Sequence, residues 1–327
     1  MTVADKILIL LEENGELSIK EMVERLEVSK QAVHKSINSL LEKQLIKRFG
    51  RAPKTIYKLH TQKPYETQAL PQLEESQEEF LNEHFLLIDE IGEFKEGLQG
   101  FAHWCYKRKL PLEKSAIEFF KTKQKYLQYF NSNAVIDGKT KLENTKGYEK
   151  VYLDEVYYLD FYAIERFGKT KLGTILHYAK QGQNKFLMKL LVEQLKSKLQ
   201  LLLANHSFQA IGFVPPTIKR ELQLMKYMEA HLKFNLPKVK IQKISGIIPV
   251  PQKSLNKIEE RISNAENTFL VSETIQYQHV LLLDDAMGSG ATLNQIAKKL
   301  KQKKVAQKVT GLAIVGSFKG FDVITDV

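Results

Sequence analysis

Val280-Leu281-Leu282-Leu283-Asp284-Asp285-Ala286-Met287-Gly288-Ser289-Gly290-Ala291-Thr292 is the stretch on which the reading of this chain turns. Its first residues are a short apolar run, the pattern of a strand buried on both faces of a parallel sheet. Two carboxylates follow at the strand end, then a turn of small residues. Leu293, Ile296, Ala297 and Leu300 then repeat at helical spacing, with Lys298, Lys299 and Lys301 on the outer side. Strand, acidic pair, glycine turn and helix together make a cradle for a ribose phosphate. Gly288 and Gly290 let the backbone curl and present N–H groups to a phosphate. The helix start adds its dipole and its unpaired N–H groups. Ser289 and Thr292 supply hydroxyl donors, and Asp284 and Asp285 stand as acceptors for ribose hydroxyls or a hydrated magnesium ion.

These residues resemble the phosphoribosyl-pyrophosphate (PRPP) motif of type I phosphoribosyltransferases, a hydrophobic strand, two acids and a Thr/Ser-Gly-x-Thr loop. Ala286 stands where a larger aliphatic is usual, and Gly288 where Thr, Ser or Ala is usual; the second change removes a side-chain contact to phosphate. Further segments sharpen the resemblance to ComF-type phosphoribosyltransferases over residues 150–316. Val214-Pro215-Pro216 stands for a Val-Pro-x-Pro segment shortened by one residue. Pro251-Gln252-Lys253-Ser254-Leu255 and Arg261-Ile262-Ser263-Asn264 stand for a downstream pair of segments. Gly168-Lys169-Thr170 and Tyr178-Ala179-Lys180 look like an upstream lysine-bearing helix region. The four-cysteine zinc element usual in that family is absent. The resemblance implies a PRPP or nucleotide site formed by Asp284, Asp285, Gly288, Ser289, Gly290, Ala291 and Thr292, with Val214, Pro215 and Pro216 in a pyrophosphate loop. It also implies Lys253, Lys257 and Arg261 on a mobile hood, and Mg²⁺ accompanying PRPP. Asp284, Asp285, Lys253 and Arg261 are then the candidate catalytic residues.

The chain has 327 residues, 43% hydrophobic and 27% charged, a soluble multidomain profile. No apolar run approaches membrane-spanning length and no signal-peptide pattern opens the sequence, so a cytoplasmic protein without membrane contact is expected. The single cysteine, Cys105, excludes an internal disulfide and a cysteine-rich zinc site. His103 and Cys105 make at most half a metal site, and packing is the better reading of that segment; no metal ligand set is expected. The net charge of +11 is uneven: residues 1–63 carry +4, residues 64–150 carry −3 and residues 151–327 carry +10. Basic ends suit phosphate-bearing partners, nucleic acid or nucleotide; a lysine-rich solubilising surface is the alternative for the C-terminal part.

At the N-terminus Val3, Ile7, Leu8, Leu10 and Leu11 mark a helix closed by Asn14-Gly15. Ser18 and Glu21 form a capping box for a second helix, and Ser29 caps a third carrying Val33, Ile37, Leu40 and Leu41. A short helix, a tight turn at Glu27-Val28 and a third helix have helix-turn-helix spacing. Residues 45–49 and 55–59 alternate as strands about a hairpin tip. The pattern resembles a winged helix-turn-helix domain over residues 2–60. Ser29, Lys30, Gln31, His34, Lys35 and Asn38 would face a groove of duplex DNA, and Lys47, Arg48, Arg51 and Lys54 on the wing would contact phosphates. Protein docking is the other use of such domains.

Between these ends, residues 61–73 read as a linker. Residues 76–98 read as one helix, with Phe80, His84, Leu87, Ile91, Phe94 and Leu98 in a stripe that either pairs with its copy in a homodimer or covers the next domain. Residues 115–130 read as an aromatic helix, 148–161 as strand or buried segment, 173–203 as helix, 208–214 as strand, 217 onward as helix with Lys219 and Arg220 in its first turn, and 239–244 as strand. Alternating strands and helices call for a mainly parallel sheet with helices on both faces. The fold class expected is therefore multidomain: a winged helix (1–60, mostly α with a β wing), a linker and helical segment (61–147), and an α/β type I phosphoribosyltransferase-like domain (148–327). Three functions follow: a DNA-binding regulator that senses PRPP or a nucleotide, as in purine-operon repressors reusing this fold; an active phosphoribosyltransferase; and, by architecture alone, a phage-defence effector.

Overall fold

The computed structural model describes residues 2–43, 45–51, 54–60, 73–244, 250 and 254–318. It divides into two compact units, Met1–Leu70 and Pro71–Val327.

In the first unit α1 (Val3–Asn14) starts on a Thr2–Asp5 capping box and stops at Gly15, whose φ of 74° only glycine adopts without strain. The Ser18–Glu21 capping box opens α2 (Ile19–Leu26), and Glu27 closes it in the left-handed region. The Ser29 hydroxyl accepts from Ala32 N at the start of α3 (Lys30–Glu42). Strands β1 (Ile46–Arg51) and β2 (Lys54–Leu59) pair antiparallel, and Leu17 adds a bridge to Tyr57. Ile7, Leu11, Met22, Val33, Ile37, Ile46 and Tyr57 form one buried core. This is the expected winged helix. Leu45, expected to begin the strand, precedes it and is exposed.

The second unit opens with α4 (Glu75–His84), followed by a hairpin of β3 (Leu86–Ile88) and β4 (Phe94–Glu96), then α5 (Gly97–Lys107) and α6 (Leu112–Leu127). The single helix expected over 76–98 therefore does not exist, and Phe80, Leu87 and Leu98 of its stripe pack against the hydrophobic core. Asp89 Oδ1 accepts from Ile91 N and Glu93 N, and Gly92 has φ 82°: a local Asp-to-Gly turn outcompetes the helical periodicity. Short β5 (Ile136–Asp137) and α7 (Lys139–Glu143) lead to β6 (Glu155–Phe161). Of residues 148–161, only this last half is strand. A small β7–β8 hairpin (Ala163–Ile164 with Gly168–Lys169) precedes α8 (Lys171–Gln181) and α9 (Lys185–Ala204). The expected continuous helix over 173–203 is broken because Gln183 takes a positive φ and Asn184 caps α9 through Leu187 N.

After β9 (Ala210–Phe213) the chain runs irregularly to α10 (Leu224–His231), so Lys219 and Arg220 precede the helix rather than open it. Strand β10 (Ile241–Lys243) pairs antiparallel with β11 (Phe269–Val271), which follows α11 (Ile258–Thr268); both stand apart from the main sheet. Then come β12 (Tyr277–Met287), α12 (Ala291–Gln302) and β13 (Ala306–Gly316).

The main sheet has the order β5-β6-β13-β12-β9, parallel except for the edge strand β5. Val280, Leu281, Leu282 and Leu283 are all fully buried. Val280 and Leu282 enter one core, Leu281 and Leu283 the other, which is the two-faced burial the apolar run requires. The first core also holds Leu81, Phe85, Phe101, Trp104 and Phe119. The helical segment expected within 61–147 thus covers the sheet and shares its core, where described, and the compact units divide at Leu70–Pro71.

Candidate functional site

The C-terminal ends of β12 and β9 lie side by side, because Leu283 pairs with Phe213 and Val214 N donates to Leu283 O. In an open parallel sheet this edge is where ligands bind. A cleft of about 170 Å³ opens there, room for a ligand rather than for a water or two. Its lining includes residues 214–217, Lys180, Gln181, Arg220, Arg261 and residues 284–293. The fold thus gathers Val214, Pro215 and Pro216, Arg261, Asp284 and Asp285, and Gly288, Ser289, Gly290, Ala291 and Thr292 around one cavity. Lys253 and the neighbouring Pro251 and Gln252 lie outside the described residues. Lys257 precedes α11 and is not among the lining residues.

The glycine turn is held from several sides. Gly290 has φ 82°, and a Cβ there would meet Leu142 Cδ1 at 2.7 Å and Met287 Cε at 2.8 Å. Tyr148 Oη donates to Ser289 O, and Ser289 Oγ accepts from Ala291 N. Asn294, fully buried in α12, accepts from Tyr152 N and donates to Lys150 O. The start of α12 is therefore fixed at the lining of the cleft. Arg261 is buried, with Nε donating to Leu255 O at 2.7 Å. Lys243 of β10 donates to Thr217 O, tying the small antiparallel pair to the 214–217 loop.

The acidic pair is electrostatically strained. Asp284 accepts from Asp285 N at 2.8 Å. Burial, and then the charge of Asp285, push the Asp284 carboxyl up to about 7, against a partial pull downward from Lys180. Asp285 is buried and pairs with Lys180 Nζ at 2.6 Å. Lys180 is the residue that sequence reasoning left out of the site. The only available signal was its position in the lysine-bearing segment Tyr178-Ala179-Lys180; nothing local says that α8 delivers it to β12.

His103 is packed in the interior, as its segment was expected to be, and it lies beside two acids. Buried His103 faces Glu90, with Nε2 3.7 Å from Oε2, and Asp89, Glu90 and His103 bring ligand-type atoms within 4.8 Å of one another. Lys95 and Lys107 already pair with these acids, Lys107 at 2.8 Å from Glu90. Cys105 plays no part: burial pushes its thiol up to about 11, so it stays protonated at neutral pH.

On the first unit, Ser29, Lys30, Gln31, His34, Lys35 and Asn38 are all exposed along α3, opposite its buried Val33, Ile37 and Leu40. On the wing Arg48 and Lys54 are exposed and Lys47 is half-buried; Arg51 closes β1. No helix among the described residues is long and apolar enough to cross a membrane.

The architecture defines a winged-helix unit in one chain with an α/β unit. Residues 6–54 match the model of the MarR family, so the N-terminal unit is similar to the winged helix of that family. The match covers that unit alone. No curated protein matches the chain.

Proposed function

We propose that the protein is a DNA-binding transcriptional regulator whose second unit binds PRPP or a nucleotide and adjusts DNA binding accordingly. The observation that carries the ligand half is one cleft lined at once by the acidic pair, the glycine turn at the start of α12, the 214–217 loop and Arg261. Hydroxyl acceptors, a helix N-terminus and a guanidinium are what a sugar phosphate needs, each on a different side. The DNA half is supported by the MarR-family match and by the exposed polar face of α3 beside a basic wing. Bound to a two-fold operator, the protein would act as a homodimer.

Magnesium would enter with PRPP. The Asp285 carboxylate already holds an ammonium, so the protein's own oxygens are not arranged as an open divalent site. We place the ion on the pyrophosphate, where it would offset the charge of the leaving group.

The test joins both halves. DNA affinity is measured at fixed salt with and without saturating PRPP and Mg²⁺, for wild type and for Asp284→Asn. A shift of about 1–3 kcal/mol that disappears in the variant is the expected result, and it must be reciprocal. If both ligands bind and neither changes the other's affinity, regulation by this site is wrong.

A second reading, an active phosphoribosyltransferase, is favoured by one observation. A carboxyl titrating near 7 is matched to proton transfer at neutral pH. In that reading a nitrogen nucleophile bonds to C1′ as the C1′–oxygen bond breaks, and pyrophosphate leaves with the bonding pair. Release of pyrophosphate with any member of a nucleobase panel would put this reading first.

A further inference from the structure

The carboxylate that the ribose would use is not waiting for a cation. Lys180 stands in the last turn of α8 with Nζ 2.6 Å from Asp285 Oδ2, and both side chains are largely withdrawn from solvent, 23% and 11% exposed. An ion pair so sheltered is screened little by salt. Its position is fixed from behind and from beside. Ile175, Leu176 and Ala179 of the same helix are fully buried in the core. Gln181 Oε1 accepts from Arg220 Nη2 at 2.8 Å, and Gln183 Oε1 accepts from Leu222 N at 2.8 Å. These bonds tie the end of α8 to the chain just beyond the 214–217 loop. The ammonium is thus held against Asp285 from the end of α8, in a cleft that the acidic pair and the 214–217 loop also line.

A divalent ion needs several oxygen ligands and gives up its waters reluctantly. At Asp285 it would have to displace the ammonium or sit beside it. An ammonium supplies one positive charge and three N–H donors, of which the Asp285 oxygen takes one. The remaining donors are suited to a ribose hydroxyl or a phosphate oxygen.

We propose that Lys180 is the resident cation of this site, set beside Asp285 where a metal-dependent site would hold a divalent ion, so that a 5′-phosphoribosyl group binds without added metal. The proposal rests on the ribose-phosphate reading of the cleft. It makes Lys180 a binding residue and predicts different metal requirements for two ligands. A phosphate monoester needs none, whereas PRPP carries its own magnesium on the pyrophosphate.

The experiment is calorimetric titration of the full chain with ribose 5-phosphate, once in EDTA and once in magnesium. Wild type, Lys180→Met and Lys180→Arg are compared, with thermal unfolding as a check on folding. Wild type should bind equally well, within about twofold, in both buffers. Lys180→Met should lose about tenfold or more in EDTA, the scale of one charge-assisted hydrogen bond, and regain part of it in magnesium. Lys180→Arg should keep binding in EDTA. Wild-type binding that requires magnesium overturns the proposal and leaves the ribose-phosphate reading intact. A Lys180→Met loss that magnesium does not restore, shared by Lys180→Arg, shows a merely structural lysine and also overturns it. No binding by wild type in either buffer overturns the proposal together with the reading beneath it. Should Lys180→Met fail to fold, the wild-type comparison and Lys180→Arg decide.

Discussion

Ser29, Lys30, Gln31, His34, Lys35 and Asn38 sit within ten consecutive positions on the exposed side of one helix, while Lys180, Pro215, Arg261 and Asp285 meet from separate segments around a cleft. The two regions place their functional groups by different physics. On α3 the periodicity that buries Val33, Ile37 and Leu40 exposes the intervening polar residues, and water keeps each nearly independent of the others. In the cleft, desolvation couples the groups. Asp284 is raised by burial and by Asp285, and Asp285 is held by Lys180. A change on α3 should therefore alter affinity alone, whereas a change in the cleft should alter affinity, stability and pH dependence together.

The harshest way to break this contrast is Asp284→Asn with Asp285→Asn. Each carboxylate is an acceptor of charge-assisted bonds worth roughly 1.5–3 kcal/mol, so binding of ribose 5-phosphate should fall by about 100-fold or more. The pair lies in the last part of β12 and lines the cleft, and Asn keeps the volume of Asp, so thermal unfolding should remain cooperative. Titration that gives the wild-type constant would remove the ribose assignment.

A pH series sharpens it. The Asp284 carboxyl lies near 7 in the folded protein against an ordinary value of 3.8. Between those values the folded state holds a proton that the unfolded state has lost. Asp284 therefore favours folding most at low pH, and that contribution is lost as pH rises to about 7. One proton of difference between the two states is worth about 1.4 kcal/mol for each step of one in pH, and here the cost is shared across the acidic pair. Relative to Asp284→Asn, wild type should therefore lose roughly 2 kcal/mol of stability from about pH 5 to about pH 8. Parallel stability curves for the two proteins would refute the coupling.

On the exposed side, Lys35→Ala or Gln31→Ala should cost about 1–3 kcal/mol on a preferred duplex and relax specificity, with stability unchanged. Arg48→Ala should weaken all sequences alike and lower the salt slope by about one. Binding isotherms over a salt series separate the two behaviours. A full chain that ignores duplex DNA even at low salt would assign the winged helix to protein docking instead. The smallest effect belongs to a cap: Ser18→Ala should cost about 1 kcal/mol, read as earlier unfolding of the first unit, because Glu21 N then loses its hydroxyl acceptor.

The sequence by itself determined the parts whose causes are local. Capping residues beside short amphipathic runs set α1, α2 and α3 nearly to the residue, and an all-apolar run followed by acids and glycines set β12, the turn and the start of α12. Only the tertiary structure decided the rest. The stripe over 76–98 was overruled by the turn at Asp89 and Gly92, whose hydrogen bonds close over a few residues and outcompete the helical spacing. His103 came to lie beside Glu90 and Asp89, neighbours from the hairpin that the spacing of its own segment does not record. Lys180 reached Asp285 across more than a hundred residues of chain, because α8 packs against the sheet with its last turn at the strand ends. Periodicity and caps act over one or two turns of chain; a charge pair in a cleft is chosen by what packing brings together, and no spacing in the sequence records it.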